Sequence, residues 1–269
     1  MEIPSAPPLS ELPHDPMAFP LETQPVSIQP GAWETAAVAP AGLNSQSLPI
    51  SSSWSTGLEI LAEVNHLLIN QTTTGTCLGS AGSNEYHVTD QYNRNLFVAT
   101  EESSWCGRQC LYEFRPFTIS ITEYSSQKEV LRLDRPYRCY GPLCPCSQQF
   151  LDVQLADKSR LGFVCEKWTC MIPTWEVVDA SNTSQLLIKG PCCCVRNKSN
   201  DKFTIFRSND ERKPVGGMVT CQPKGDLCSD ASSPILTFAI EMPVKVKALL
   251  LAAVFLIEYM YYEDDELGC

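Results

Sequence analysis

Downstream of residue 84 the chain alternates apolar and polar residues in short runs bounded by turn-forming residues. Such runs occupy 85–88, 95–102, 117–124, 129–134, 150–156, 161–167, 175–179, 185–189, 202–207, 215–221 and 235–241. Turn residues separate them at 90–95, 125–128, 157–160, 181–184 and 208–213. About eleven short strands with almost no helical pattern between them predict an antiparallel sandwich or barrel rather than βαβ units. In the last run, Leu236, Phe238 and Ile240 are expected to face inward. Upstream, Leu58, Leu61, Val64 and Leu68 recur at helical spacing, with Glu59 and Glu63 opposite. That spacing predicts one amphipathic helix over 57–69.

Both ends of the chain break this pattern. Residues 1–56 hold half of the 20 prolines, contain no Cys, Lys or Arg, and show no apolar period. They are expected to form a disordered tail, because too little apolar surface is available to offset the entropy of ordering. Within the tail, Pro4 with Pro7 and Pro13 with Pro16 have the PxxP spacing that SH3/WW-type aromatic grooves read, although a plain solvated tail fits the same composition. At the other end, 248–257 are ten consecutive apolar residues, preceded by Lys245 and Lys247 and interrupted by Glu258.

A helix over 244–262 admits two readings. Its 19 residues, flanked by lysines on one side and a tyrosine belt closing at Tyr262 on the other, suit a marginal membrane span. A ten-residue apolar core that includes Phe255 suits burial inside the β-domain better, and Glu258 would be costly in lipid. Residues 264–269 form a short acidic end.

Charge and composition narrow the chemistry. The formal net charge is −11, yet residues 1–93 carry nine acids and no base. A net-acidic chain without a basic block is a poor nucleic-acid binder. All three histidines lie at or before His87, so most of the folded part cannot build a local His-based zinc site or Ser-His-Asp triad. No residue pair nominates a hydrolytic or redox enzyme. The N-terminus lacks the basic and apolar regions of a secretory signal, which predicts a cytosolic start and reduced thiols for the 14 cysteines.

Several stretches together resemble the phospholipid scramblase family, whose domain belongs to the tubby-like superfamily. They are Gly57-Leu58-Glu59, Arg115-Pro116-Phe117-Thr118, Arg135-Pro136-Tyr137-Arg138-Cys139, Cys144-Pro145-Cys146, Gly162-Phe163-Val164 with Trp168, Gly190-Pro191-Cys192, and Val244-Lys245-Val246-Lys247-Ala248 leading into Phe255-Leu256-Ile257. They occur in family order over 57–263. The resemblance implies a mainly β fold, a twelve-stranded antiparallel barrel enclosing or followed by the hydrophobic C-terminal helix. It also implies bidirectional, energy-independent movement of phospholipids between membrane leaflets, which is lipid translocation rather than bond chemistry. Calcium is the cofactor the family pattern implies. A membrane-associated protein follows, at the plasma membrane with a cytosolic N-terminus, with membrane phospholipids as partners and a homo-oligomer allowed.

Two departures weaken that pattern. The family's calcium loop maps onto 230–243, where Asp230 and Glu241 keep their acids but Ser232 and Pro243 replace two others. Calcium needs six to eight oxygens, so two carboxylates predict at best ~millimolar affinity. The acylation run is thinned to Cys144 and Cys146, with a second cluster at Cys192, Cys193 and Cys194 near Arg196 and Lys198. Adjacent cysteines beside bases suit S-acylation, and a four-thiolate zinc site is the rival. A membrane-tethered, lipid-binding adaptor that recruits partners through its tail is the alternative function.

Overall fold

The computed structural model describes residues 56–73, 84–104, 115–138, 148–192, 201–223 and 232–261, without the side chains of 73, 216–223, 232 and 233. A short 3-10 helix, Glu59–Glu63, leads into twelve strands. These are β1 (His66–Thr73), β2 (Asn84–Thr89), β3 (Asn95–Glu102), β4 (Phe117–Glu123), β5 (Glu129–Arg135) and β6 (Phe150–Leu155). There follow β7 (Arg160–Lys167), β8 (Thr174–Asp179), β9 (Ser184–Lys189), β10 (Lys202–Arg207), β11 (Asp210–Pro223) and β12 (Ser232–Thr237). One helix, α1 (Val244–Tyr261), completes the described chain.

Consecutive strands pair antiparallel, and β1 also pairs with β12, Leu67 lying opposite Leu236, so the strand order returns on itself as a barrel. Four turns at one end share a design. Asn93, Gln127, Lys158 and Asn182 each adopt a positive φ near the end of a tight turn. The adjoining pairs β2–β3, β4–β5, β6–β7 and β8–β9 each shift register there. In three of them an aspartate, Asp90, Asp157 or Asp179, accepts backbone N–H groups two residues on, the local bond that makes Asp a turn former.

The helix expected over 57–69 is not formed. Leu58, Leu61 and Val64 are buried, but their spacing of three fits the tighter 3-10 turn, and Leu68 is only half-buried. From His66 the chain is extended, and Leu67 and Ile69 point inward with period two. The ladders offered by β12 and β2 decide the matter, since a strand placed there satisfies backbone groups on both sides. The last strand ends at Thr237, and Ile240, expected inside, is exposed in the turn before α1. There its carbonyl accepts a hydrogen bond from Lys247.

Of the two readings of the C-terminal segment, the structure takes the buried one. Every residue from Lys247 to Tyr259 is buried, on all faces of the helix. A helix apolar all round needs neighbours all round. Its side chains meet Tyr86 of β2, Phe117 of β4 and Trp175 of β8, while α1 also packs on β6, β7 and β12. Close approach is built into β7, where a Cβ on Gly162 would run into the Val178 carbonyl and lie 3.1 Å from Leu249. No helix among the described residues is long and apolar enough to cross a membrane.

Candidate functional site

Topology places the two ends of the barrel in different chemical roles. The tight turns just described, the 3-10 helix and the N-terminus of α1 lie at one end. At the other end β3, β5, β7 and β9 finish, β4, β6, β8 and β10 begin, and α1 ends. Each end of the buried helix is fastened by charged groups.

At the finishing end, inward stripes of the strands terminate in charge. On β3 the inward residues run Phe97, Ala99, Glu101, all buried. Arg115 stands two residues before the inward Phe117, and Arg135 two residues after the inward Leu133. Arg115 donates Nε to Glu101 Oε1 at 2.9 Å and Nη2 to Oε2 at 3.1 Å. Asn84 Nδ2 and the Tyr259 hydroxyl each donate to Oε2 at 2.9 Å. The Arg115 guanidinium also lies 4.9 Å from the centre of the Tyr259 ring, which is itself 4.2 Å from Phe117. Next to it, Arg135 donates twice to Gln149 Oε1, at 2.7 and 3.2 Å, and sits over Phe117. Burial pushes the Glu101 carboxyl up, but the bonds and charge of Arg115, with bonds from Ser103 and Tyr259, outweigh it and hold the group below the usual carboxylate range.

At the starting end Lys247 is fully buried. Its ammonium donates to three backbone carbonyls, Leu61 at 2.8 Å, Val64 at 2.9 Å and Ile240 at 2.9 Å, and lies 5.0 Å from the centre of the Phe238 ring. One side chain thus ties α1 to the 3-10 helix, to the entry of β1 and to the turn before itself. Burial lowers its pKa from the ordinary lysine value, partly offset by the nearby charge of Glu241. Nearby, a cleft of about 600 Å³ is bordered by Gly57, Glu59, Glu123, Lys128, Glu129 and Asp157.

The structure distributes the sequence-predicted residues unevenly. Lys247, Phe255 and Glu258 are buried with α1. Glu241 is exposed in the turn preceding α1, and among the described residues no three His, Cys, Asp or Glu side chains gather where a metal ion would be held. Asp230, the other acid of the expected calcium pair, lies outside the described residues. Cys192 is half-buried with a free thiol at the finishing end. Cys144, Cys146, Cys193, Cys194, Tyr262, Pro4, Pro7, Pro13 and Pro16 lie outside the described residues. Sequence reasoning gives no role to Glu101 or Asn84, and places Tyr259 only in the tyrosine belt of a span. The available signal is a carboxylate on an otherwise apolar inward stripe, with an Arg two residues before the next strand.

A family model described as Scramblase matches residues 44–264, which takes in the whole barrel and its helix. The chain belongs to the scramblase family. It is 29% identical to phospholipid scramblase 2 of Bos taurus over 253 residues, 92% of this chain and 83% of that one. Identity to human phospholipid scramblase 1 is 30% over 213 residues, covering 77% of this chain and 66% of the relative. With human phospholipid scramblase family member 5 it is 29% over 257 residues, 93% and 92% of the two chains. No solved structure matches it. Within this scramblase-family barrel several of the sequence stretches that carry the resemblance act as fasteners. Arg115 and Phe117, Arg135, Gly162 and Lys247 all hold the helix or the strands against it.

Proposed function

We propose that this scramblase-family member works on membrane phospholipids and moves them between leaflets, in both directions and without an energy source. The observation that carries the reading is the extent of the family match, which spans the whole barrel and α1 rather than an isolated motif. Relatives named as phospholipid scramblases over most of the chain support the same substrate class. On this reading the protein is membrane-associated, at the plasma membrane with its tail in the cytosol, and is tethered by acylation at Cys144, Cys146 or the 192–194 cluster.

The enclosed helix constrains how such an activity works. A headgroup crossing hydrocarbon loses its hydrogen bonds at a cost of several kcal/mol. The part that lowers this barrier is the barrel docked on the leaflet, since α1 is engaged in the core.

A second reading is a tethered lipid-binding adaptor without transport that recruits SH3/WW-type partners through the Pro-rich tail. It is favoured by the fastening of α1 at both ends, which leaves the helix unavailable to the bilayer. Reconstitution in liposomes with a fluorescent lipid separates the two. If the protein transports lipid, dithionite bleaching proceeds past the outer-leaflet half, in the presence or absence of ~millimolar calcium. Bleaching that stops at half in both conditions refutes transport and leaves the adaptor.

A further inference from the structure

The β7–β8 connection carries an exposed apolar tip that the fastening of the core does not use. Trp168, Met171 and Ile172 are 55%, 50% and 45% exposed within five consecutive residues, and Cys170 between them is exposed too. Tyr137, at the start of the neighbouring β5–β6 connection, is 54% exposed. The other exposed large apolar residues, Tyr92, Tyr124 and Ile240, sit singly on separate turns at the opposite end, where isolated exposure is ordinary.

The tip is braced rather than loose. Thr169 Oγ1 donates to the Ile172 carbonyl at 2.5 Å, and Thr174 Oγ1 donates to the same oxygen at 3.0 Å. Gly190 N–H donates to the Pro173 carbonyl at 2.8 Å, an approach that a Cβ on Gly190 would obstruct, lying 2.8 Å from Phe203 and 3.0 Å from Pro173. On the other side the Gln148 amide donates to the Glu166 carbonyl and accepts from the Trp168 N–H at 2.9 Å, while Arg138 donates to the Gln148 carbonyl. Side chains held out on such a base keep their apolar area available at little further entropy cost on binding.

Lysines line the base of the tip. Lys167, Thr174 and Lys189 lie in one row across β7, β8 and β9, directly beneath it. Lys202 stands at a strand end on the same rim and Arg138 in the β5–β6 connection; the acids beside these four bases are Glu166 and Glu176, both half-buried, Glu211, which pairs with Lys189, and the buried Asp201. The ion pairs of Lys167 with Glu176 and of Lys189 with Glu211 each have one exposed and one half-buried member, and pairs this open to solvent are weak enough for phosphates to compete. Trp and Tyr over a cationic row match the headgroup level of an anionic leaflet, where the rings sit at the interface and lysines snorkel.

We infer that the β7–β8 tip is the membrane-contacting surface of the barrel, with Trp168, Met171 and Ile172 entering the interface of an anionic phospholipid leaflet. The inference rests on the proposed action at phospholipid membranes and adds the orientation. The half-buried Cys192 lies at the same end, so an acyl chain there and the tip would reach one bilayer together.

The test is vesicle flotation of the unacylated full chain with phosphatidylcholine vesicles and with vesicles also containing phosphatidylserine. Partition should rise with phosphatidylserine. It should fall by roughly tenfold or more in Trp168→Ser/Met171→Ser/Ile172→Ser, since each lost apolar side chain removes transfer energy of that order. Tyr92→Ser/Tyr124→Ser at the opposite end should bind as the parent does. Should the triple variant lose its fold, brominated lipid decides. It should quench part of the parent's Trp emission, and that part should be absent in Trp168→Phe. A parent that ignores phosphatidylserine, a folded triple variant of unchanged affinity, or equal quenching of Trp168→Phe overturns the inference. Translocation in the same vesicles is read separately, so a misplaced contact surface and a wrong function give different results.

Discussion

Arg115→Leu is expected to destabilise the fold by about 3–5 kcal/mol, the largest effect foreseen for any single change at the helix ends. Leucine fills much of the space, so the loss is electrostatic. It leaves the Glu101 carboxylate buried against Asn84 and Tyr259 with its cation gone. Adding Glu101→Gln should restore part of the loss, because no uncompensated charge then remains. Acid should act through the same pair. The folded pKa of Glu101 is depressed, so its contribution is full above the ordinary carboxylate value and is lost as pH falls through the folded one. Urea unfolding from neutral pH down to about 3 checks both claims, and Glu101→Gln should flatten that part of the profile. A single variant within about 1 kcal/mol of the parent would contradict the account.

Lys247→Met is expected to rank second. Methionine keeps most of the apolar stem and removes the ammonium, leaving the carbonyls of Leu61, Val64 and Ile240 without this donor. Two buried acceptors and a part-buried third, at about 1 kcal/mol or more for each buried one, predict a loss of about 2–3 kcal/mol. The damage should be local first, with amides of the 3-10 helix and the start of β1 exchanging faster than those of β4 or β8. Raising the pH should not mimic the substitution. With its folded pKa depressed, this group's contribution rises as pH climbs from the folded pKa toward the ordinary lysine value. Unchanged unfolding and exchange would mean that the three bonds stabilise nothing.

Much of this was legible in the sequence because period two is unambiguous when one face is buried. Ten of the twelve strands lie close to where the alternation places them, β12 runs Ser232–Thr237 instead of 235–241, and Asp90, Asp157 and Asp179 mark turns by their own side-chain chemistry. β1 was misread because Leu58, Leu61, Val64 and Leu68 fit a helix as well as a 3-10 turn followed by a strand. The partners that choose between them, β2 and β12, are remote in sequence. The fate of α1 was undecidable by hydropathy, since a helix apolar all round suits lipid and a protein interior alike. Only the strands around it decide. Glu101 with Tyr259 is a pairing across 158 positions, and no local pattern announces it. Trp168 belongs to a stretch that carries the family resemblance, yet its exposure follows from the hairpin geometry and not from residue type.

The central claim is that α1 is the core of the barrel and stays there when the protein meets lipid. Amide hydrogen exchange of the full chain, in plain buffer and again with phosphatidylserine-containing vesicles, tests it most directly. Residues 247–257 should be among the slowest to exchange in both conditions, alongside the strands that enclose them, and vesicles should leave their protection unchanged. Fast exchange of this segment in buffer, with protection appearing only on addition of vesicles, would show that the helix is held by lipid and would contradict the account.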